Sequence, residues 1–274
     1  MNALKEILAK KLTKKELLLL RASFDVIGTI AIIEIPRELE KKEKIIADAI
    51  HSLNKHIKTI AKKIGGHKGK YRRQKLIILS GERTKITEHK ESNVRMRLDV
   101  EKCYFSPRLV TERLRIASLV KSGEKILVLF SGIAPYPLIL AKHSLAKKII
   151  GIEMNPIAHK YAQENVILNK VSDKIILYKG DVRKIVPTIK EKFDRIIMPL
   201  PKTSEEFLDI TLNNIKKGGV IHLYQFAEEK EFQKYGNHIV EICKKHKKKC
   251  RILNMIKAGQ HAPRVYRICI DIKF

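Results

Sequence analysis

The sequence predicts an α/β protein in which a doubly wound, mostly parallel sheet follows a smaller N-terminal α+β domain. The apolar residues 126–130 do not alternate with polar ones, as expected of a strand buried on both faces. A turn with glycine and proline, a helix-compatible segment and a second apolar strand at residues 149–152 follow. That strand ends in Glu153. In nucleotide-binding sheets, a carboxylate about twenty residues after such a turn accepts hydrogen bonds from ribose hydroxyls.

The turn after the first strand, Ser131-Gly132-Ile133-Ala134-Pro135, carries one of the three glycines of a G-x-G-x-x-G pattern. Dinucleotides need those glycines because their pyrophosphate lies against the backbone at the helix N-terminus. S-adenosylmethionine carries no phosphate, so a looser turn suffices for it. The turn therefore favours S-adenosylmethionine over NAD, and an α/β core without a ligand at this edge is the alternative.

Composition bounds the class of protein and its partners. The 274 residues suffice for two domains, and 57 Lys and Arg against 29 Asp and Glu give a formal net charge of +28. Such a charge predicts a polyanionic partner, and a tRNA-sized RNA is favoured over a metabolite. The alternative is that an AT-rich genome or growth at high temperature accounts for some of the lysine. No apolar run approaches the ~20 residues of a membrane span, and the N-terminus lacks the apolar stretch of a signal peptide. We expect a cytoplasmic protein.

The four cysteines form no C-x-x-C pair. This spacing indicates neither a zinc site nor a disulfide framework, and reduced, partly buried thiols are expected.

The N-terminal part predicts a small α+β domain. We expect one amphipathic helix over residues 1–20 and a domain over residues 21–100. The elements expected within that domain are a strand from residue 24 to 35, a helix from 41 to 64 that glycines at 65–69 break, and strands at 76–79 and 95–100.

Residues 101–121 form a connecting motif with a helix at 110–120, and residues 122–274 are predicted to be the cofactor-binding domain. After the first two strands we expect helices at 156–169, near 186, at 204–215 and at 229–246, and strands at 174–178, 193–198, 220–226, 251–256 and 264–274. Two adjacent strands at the end are typical of the methyltransferase variant of the doubly wound sheet.

Ligands of such sheets bind at the carboxyl ends of the strands, so four strand ends are candidates. The predicted cofactor-binding residues at these ends are Phe130, Ser131, Gly132, Glu153, Met154, Asp181, Val182, Pro199 and Leu200. Asp181 could read an adenine amino group, while a helix N-cap is its alternative role. Two prolines in Pro199-Leu200-Pro201 predict a rigid loop over the cleft.

Several motifs resemble those of the archaeal and eukaryotic tRNA (guanine-N1)-methyltransferases of the Met-10 family, over about residues 21–274. They are the run from Tyr104 through Arg108 and Glu112 to Arg113, Ile152-Glu153-Met154-Asn155-Pro156, Glu164-Asn165, Leu168-Asn169-Lys170, Gly219-Val220-Ile221-His222 and Ala262-Pro263-Arg264. The resemblance implies a Rossmann-like class I methyltransferase that methylates N1 of the guanosine 3′ of the anticodon with S-adenosylmethionine. A monomer that needs no metal is expected.

The resemblance also implies residue roles. Glu112 is expected to be the general base for the N1 proton, Arg72 to stabilise charge on guanine O6, and Tyr104 to help seat the base. Pro199 is also counted among the catalytic positions. The residues expected to contact RNA are Arg73, Arg108 and Arg264. Each role has an alternative. Arg72 and Arg73 could be ordinary surface charge. Glu112 could belong to an ion-paired helix face with Arg113 and Arg115.

Two features depart from the family pattern. Pro199-Leu200-Pro201 stands where Asn-Leu-Pro is usual in the family, and Glu153 stands where Asp is frequent. This combination resembles the archaeal subgroup that can also methylate C7 of the tricyclic wyosine precursor. A second activity on that base is left open. About twenty residues precede the strand at Phe24, so we expect the small N-terminal RNA-docking domain of archaeal members to be missing. An aminocarboxypropyl transferase of wyosine synthesis and a catalytically silent RNA-binding protein are the other readings.

Overall fold

The computed structural model describes residues 3–274, and these form two compact units. Unit 1 contains the described residues up to Glu91 together with Arg95–Pro107. Unit 2 contains Ser92–Val94 and Arg108–Phe274. Residues 1 and 2, at the start of the predicted N-terminal helix, lie outside the described part.

Unit 1 is built on a small mixed sheet with helices packed against it. Its elements in chain order are α1 (Ala3–Leu8), α2 (Lys14–Leu19), β1 (Asp25–Ile27), β2 (Ile30–Ile33), α3 (Glu43–Leu53), β3 (Thr59–Lys68), β4 (Arg73–Gly81), β5 (Ile86–Glu91) and β6 (Val94–Asp99). The sheet order is β1-β2-β3-β4, with β2 and β3 parallel and the other pairs antiparallel, while β5 and β6 form a separate pair. Apolar side chains of α1 and α3 bury against this sheet.

The single helix predicted for the N-terminus is two helices. Thr13 separates them because it caps α2: its Oγ1 accepts a hydrogen bond from the Glu16 N–H, and the Glu16 carboxylate accepts one from the Thr13 N–H at 2.7 Å. Such a reciprocal capping box starts a new helix and stops the previous one from running through it.

The helix predicted for residues 41–64 is wrong in its second half. α3 ends at Leu53, where the side chain of Asn54 donates to the Ile50 carbonyl, and residues 59–68 are strand β3. Ile57 and Ile60 are fully buried in the core of unit 1. Isoleucines at that spacing satisfy both a helical and a strand pattern, and the pairing of β3 between β2 and β4 decides for the strand. The glycines expected to break the helix, Gly65 and Gly66, continue β3.

Unit 2 is a seven-stranded sheet with helices on both faces. Its elements in chain order are α4 (Val110–Ser118), β7 (Lys125–Val128), α5 (Pro135–His143), β8 (Lys148–Glu153), α6 (Pro156–Leu168), β9 (Ile175–Lys179), α7 (Val182–Ile185), β10 (Phe193–Met198), α8 (Leu208–Thr211), β11 (Ile215–Glu228), α9 (Phe232–Lys245), β12 (Arg251–Ala262) and β13 (Val265–Lys273). The order is β12-β13-β11-β10-β7-β8-β9, parallel from β11 to β9 and antiparallel at β13. This order confirms the predicted methyltransferase variant of the doubly wound sheet.

Two boundaries in unit 2 differ from the prediction. The helix expected at residues 204–215 is a short 3-10 turn (Ser204–Phe207) followed by α8, because Asn214 ties the chain to the neighbouring segment and Ile215 begins β11. The Asn214 side chain donates to the carbonyls of Ile189 and Glu191, and its own carbonyl accepts from the Phe193 N–H at 2.7 Å. The first strand ends at Val128, since Phe130 has a φ of +52° and cannot extend it.

The four cysteines are free thiols, three buried and one half-buried. Among the helices of residues 3–274, none combines the length and apolar character needed to cross a bilayer.

We expect Gly81→Ala to destabilise the protein more than Gly65→Ala. Both glycines have positive φ, +85° and +63°, so each alanine adds backbone strain of about 1–2 kcal/mol. A Cβ at Gly81 would also lie 1.9 Å from the Lys58 carbonyl oxygen, whereas one at Gly65 would meet nothing within 4 Å. Urea titration should therefore show an extra loss of about 2 kcal/mol for Gly81→Ala. Equal losses in the two variants would contradict the close approach at Gly81.

Candidate active site

The carboxyl ends of the parallel strands of unit 2 meet at one edge of the sheet, here called the cofactor edge. Four of the predicted segments lie there: the turn after β7, the end of β8 at Glu153, the Asp181 segment after β9 and the Pro199 segment after β10. Backbone hydrogen bonds connect neighbouring segments: Ser131 N–H donates to the Ile152 carbonyl, and Gly180 N–H to the Glu153 carbonyl, both at 2.9 Å. The structure thus brings the predicted cofactor-binding segments together.

The turn from Phe130 to Ala134 is held in an unusual backbone conformation. Phe130, Gly132 and Ala134 all have positive φ, at +52°, +58° and +70°. Two of the three are not glycine, which costs about 1–3 kcal/mol at each such residue and occurs mainly where surrounding structure and function require it. The turn closes through the Ala134 N–H and the Ser131 carbonyl at 2.9 Å, and α5 starts at the next residue, Pro135.

Glu153 fastens this turn to the end of β8. Its Oε2 accepts a hydrogen bond from the Gly132 N–H at 2.8 Å, and its Oε1 accepts one from the Asn155 N–H at 2.6 Å. Burial raises the pKa of the Glu153 carboxyl, while the backbone hydrogen bonds from Asn155, Gly132 and Met154 act in the opposite direction. A carboxylate offers about four acceptor sites, so Glu153 keeps capacity for a ligand hydroxyl after these three backbone bonds.

Asp181 is a helix N-cap in the structure. Its Oδ1 accepts from the Arg183 N–H at 2.9 Å and so starts α7, in which Val182 is buried. The capping role that the sequence left as an alternative is therefore present. Contact of Asp181 with an adenine amino group stays a prediction.

The Pro199-Leu200-Pro201 loop is fixed by hydrogen bonds to its carbonyl groups. Ser204, fully buried, donates its hydroxyl to the carbonyls of Met198 and Leu200 at 2.9 and 2.7 Å. The Phe226 N–H donates to the Pro201 carbonyl at 3.0 Å. Carbonyl groups of the loop after β10 are thus engaged within the protein, and the rigidity expected from its prolines stays a prediction.

In unit 1 the structure brings Arg72 and Tyr104 together. The Arg72 guanidinium lies over the Tyr104 ring, 4.7 Å from its centroid, and the His67 ring meets the same tyrosine edge-on at 5.1 Å. Burial and the Arg72 charge lower the pKa of His67, which keeps this imidazole neutral beside the guanidinium. Arg73 lies over the ring of Tyr71. His67 was missed from the sequence because it stood in a segment interpreted as a helix break.

Glu112 lies in the first turn of α4 and is only 4% exposed. Arg115 donates from Nε and Nη2 to its two carboxylate oxygens, at 2.7 and 2.8 Å. The Tyr224 hydroxyl donates to Oε1 at 2.5 Å and accepts from the Tyr136 hydroxyl at 2.9 Å. The ion-paired alternative for Glu112 is therefore present in the structure, and its role as a base stays a prediction.

Arg115 continues this network toward the opposite edge of the sheet. Its Nη1 donates to Asp271 at 2.9 Å, Asp271 pairs with His222 Nδ1 at 2.6 Å, and His222 Nε2 lies 2.5 Å from Arg195. Arg195 is bound to Glu124 through Nε at 2.9 Å. We call the chain Tyr136, Tyr224, Glu112, Arg115, Asp271, His222, Arg195 and Glu124 the polar seam.

The polar seam contains most of the candidate residues that sequence reasoning missed. Its signal in the sequence was polar side chains inside apolar strands: His222 between Ile221 and Leu223, and Asp271 between Ile270 and Ile272. Neither residue was given a role from the sequence.

The remaining predicted RNA contacts lie on the surface of unit 2. Arg108 is exposed in a 3-10 turn just before α4. Arg264 is exposed at the tip of the β12–β13 hairpin, with a φ of +62°. Their contact with RNA stays a prediction.

Comparison with known proteins identifies the family of both parts of the chain. A family model described as the TRM5/TYW2 methyltransferase domain matches residues 87–253, and one described as the TYW2 N-terminal domain matches residues 4–84.

Three curated relatives show the range of names within the family. The tRNA (guanine(37)-N(1))-methyltransferase Trm5b of Pyrococcus abyssi is 42% identical over 93% of this chain and 75% of its own length. The tRNA (guanine(37)-N(1))/4-demethylwyosine(37)-methyltransferase Taw22 of Nanoarchaeum equitans is 35% identical over 91% and 99%. A tRNA(Phe) (4-demethylwyosine(37)-C(7)) aminocarboxypropyltransferase of Pyrococcus horikoshii is 31% identical over 98% and 95%.

Solved structures agree with this grouping. The complex of aTrm5 and tRNALeu superposes with a TM-score of 0.86 at 33% identity, covering 99% of this chain and 78% of that one. P. horikoshii TYW2 in complex with MeSAdo superposes with a TM-score of 0.81 at 30% identity, covering 98% and 97%. The seven-stranded sheet, its fastened turn and a family model that matches more than half of the residues lead to one conclusion: the chain belongs to the TRM5/TYW2 methyltransferase family.

Proposed function

We propose that this protein transfers the methyl group of S-adenosylmethionine to N1 of the guanosine 3′ of the anticodon in tRNA. The observation that carries the proposal lies within unit 2. There the buried carboxylate of Glu112 is linked through the hydroxyls of Tyr224 and Tyr136 to α5. This helix starts directly after the turn that Glu153 fastens at the cofactor edge. A proton acceptor and a cofactor turn are thereby held by one rigid set of bonds.

The chemistry requires a base and a stabiliser of negative charge. Guanine N1 carries a proton at neutral pH, so Glu112 takes that proton while N1 attacks the methyl carbon and the carbon–sulfur bond breaks. Negative charge shared with O6 is then stabilised by the Arg72 guanidinium. The sulfonium is already an activated methyl donor, and S-adenosylhomocysteine leaves as a neutral thioether.

The cofactor is expected to bind along the cofactor edge. Glu153 accepts a ribose hydroxyl through its remaining acceptor site, and Val182 presents an apolar surface to the adenine ring. Phe130, Ser131, Met154 and the Pro199-Leu200 segment complete the walls of the site. We further expect residues 122–274 to act as the cofactor-binding domain.

The RNA partner is supported by charge. The formal net charge of +28 favours a polyanion, and a similar protein has been solved with a tRNA. Arg73, Arg108 and Arg264 are proposed to bind its backbone. A target base inside a folded RNA has to leave its stack to reach a cleft, and the Tyr104 ring under Arg72 is proposed to seat it. We expect a cytoplasmic monomer that needs no metal ion.

A second substrate is supported by the loop after β10. Pro199 replaces an amide side chain with an apolar ring, which leaves more room for the tricyclic wyosine precursor, and the N. equitans relative is named for both activities. The match of residues 4–84 to the TYW2 N-terminal domain favours aminocarboxypropyl transfer as the alternative reaction. Glu153, Asp181 and Glu112 argue against a silent RNA-binding protein.

The experiment that tests the proposal incubates the protein with methyl-labelled S-adenosylmethionine and two tRNAs. One carries unmodified guanosine beside the anticodon and the other carries the tricyclic precursor. We expect label in the first tRNA, at N1. Label in both would assign dual specificity to the Pro199 loop. Cofactor labelled in its aminocarboxypropyl group distinguishes the alternative reaction, and transfer of that group alone would contradict methyl transfer.

We expect Glu112→Gln to lower kcat by about 10²–10⁴-fold, because a positioned base contributes that much. The affinity for S-adenosylmethionine should change less than about twofold, since Glu112 lies outside the cofactor-binding residues. Single-turnover methylation and cofactor titration measure the two quantities. Glu191→Gln, which alters a carboxylate at the opposite edge of the sheet between Lys125 and Lys148, is the control. An unchanged kcat in Glu112→Gln would remove Glu112 from the mechanism.

Binding to tRNA should weaken steeply with salt, because cations on the protein displace counterions from the phosphates. In a plot of log affinity against log salt concentration, Arg73→Ala should reduce the magnitude of the slope by about 1, which corresponds to the loss of one phosphate contact. Arg37→Ala, an exposed arginine of the same unit, should leave the slope unchanged. A flat response of the unmodified protein would contradict docking through phosphates.

A further inference from the structure

The polar seam crosses one face of the sheet of unit 2. Arg195, His222, Tyr224 and Asp271 lie on that face because strand residues two apart point the same way, and His222 is directly opposite Asp271 in the β11–β13 ladder. α4 covers the same face, with Glu112 and Arg115 pointing into it. A buried row of charged and polar groups therefore runs from Glu124 to the candidate base.

Arg115 is shared between two carboxylates. Its Nε and Nη2 edge is bound to Glu112, and its Nη1 donates to Asp271 Oδ2 at 2.9 Å. A guanidinium is planar and rigid, so a carboxylate on one side fixes the plane that the carboxylate on the other side must meet. Asp271 is only 2% exposed, which leaves it little freedom to move.

The hydrogen-bond directions beyond Asp271 follow from Arg195. A guanidinium only donates, so His222 Nε2 is the acceptor from Arg195 Nη1, and Nδ1 carries the ring proton and donates to Asp271 Oδ1. Burial lowers the pKa of His222 against the effect of Asp271, which keeps the ring neutral. Although burial alone would raise it, the hydrogen bond from His222 and the charge of Arg115 hold the pKa of Asp271 well below its usual range. Asp271 is therefore an anion at neutral pH, and its hydrogen bonds with His222 and Arg115 set its orientation.

A metal site is the other reading of this cluster. Ligand atoms of His222, Cys269 and Asp271 lie within 4.8 Å of one another. The lone pairs of Asp271, however, already face N–H groups of His222 and Arg115 and the thiol of Cys269. The guanidinium groups of Arg115 and Arg195 lie beside it and repel a cation. Hydrogen bonding, not metal ligation, accounts for the cluster.

We propose that Asp271 is a positioning residue for the base, and that it serves as the counter-ion of Arg115 once Glu112 has taken a proton. This inference rests on the proposed function. When the guanine N1 proton moves to Glu112, the carboxylate becomes neutral and its ion pair with Arg115 is lost. Arg115 is half-buried, and a guanidinium largely removed from water is unfavourable without a carboxylate partner. Asp271 remains charged and holds Arg115, so this half-buried cation keeps a carboxylate partner after proton transfer to Glu112.

Asp271→Asn tests the proposal because it removes the charge and keeps the shape. We expect kcat for methylation of the guanosine tRNA to fall at least tenfold, while the KM for S-adenosylmethionine stays within twofold. Asp271→Glu should restore part of the lost kcat. In the Glu112→Gln background, Asp271→Asn should cause no further loss of kcat, because a residue that acts through Glu112 has no effect once the base is absent. Losses that simply add in the double variant would overturn the proposal.

A second measurement needs no catalysis. The Glu112→Gln variant leaves Arg115 with one carboxylate partner, and so does Asp271→Asn. The double variant leaves Arg115 with no carboxylate partner. The midpoint of urea unfolding should therefore fall in the double variant by more than the sum of the two single losses. Additive shifts would overturn the shared-counter-ion role. Glu191→Gln combined with Glu112→Gln is the matched control and should give additive shifts.

The proposed function can fail separately. Full kcat in Glu112→Gln would remove the base role while the unfolding measurement still reports on Asp271 and Arg115. Coupled unfolding with additive kcat losses would make the seam structural only and overturn the positioning role.

Discussion

The half-buried guanidinium of Arg115, held between the buried carboxylates of Glu112 and Asp271, is the interaction on which the arrangement of unit 2 depends. Charges in a protein interior are tolerated only when they are paired and hydrogen-bonded, and breaking such a pair costs about 3–5 kcal/mol. Because Glu112 and Arg115 belong to α4 and Asp271 to β13, this requirement sets the position of the helix on the sheet. Arg195 adds a second attachment at the other end of α4, where it donates to the Leu119 carbonyl at 2.6 Å.

The same sheet provides two separate surfaces for one reaction. Its carboxyl edge carries the strained turn, and Glu153 stabilises that turn by accepting the Gly132 N–H. Its face carries the polar seam, which ends at the candidate base. The hydroxyls of Tyr136 and Tyr224 join the two surfaces, since Tyr136 lies in the helix that the turn begins. Strain at the turn and buried charge in the seam are both unfavourable locally, and the apolar core between the strands and helices offsets them.

Sequence reasoning succeeded where one physical pattern dominated. The apolar strands of unit 2 have no helical alternative of the same length, so their order and the carboxylate at Glu153 followed directly. It failed between residues 54 and 64, where isoleucines fit helix and strand equally and only pairing with β2 and β4 decides. The motif around Glu112 was recognised. Tyr224, which donates to Glu112, and Asp271, which shares Arg115 with it, are 112 and 159 positions away in the chain, and no local pattern relates them.

By itself the sequence determined the class of the sheet, its sites at the strand ends, the polyanionic character of the partner and the family. These depend on composition and on short-range patterns, which act through neighbours in the chain. Only the tertiary structure decided how Glu112 is held, that His222 donates through Nδ1, and that Asp271 and Arg115 form one unit with the candidate base. Those facts arise from long-range packing, because burial removes water and obliges each polar group to find its partner in another element.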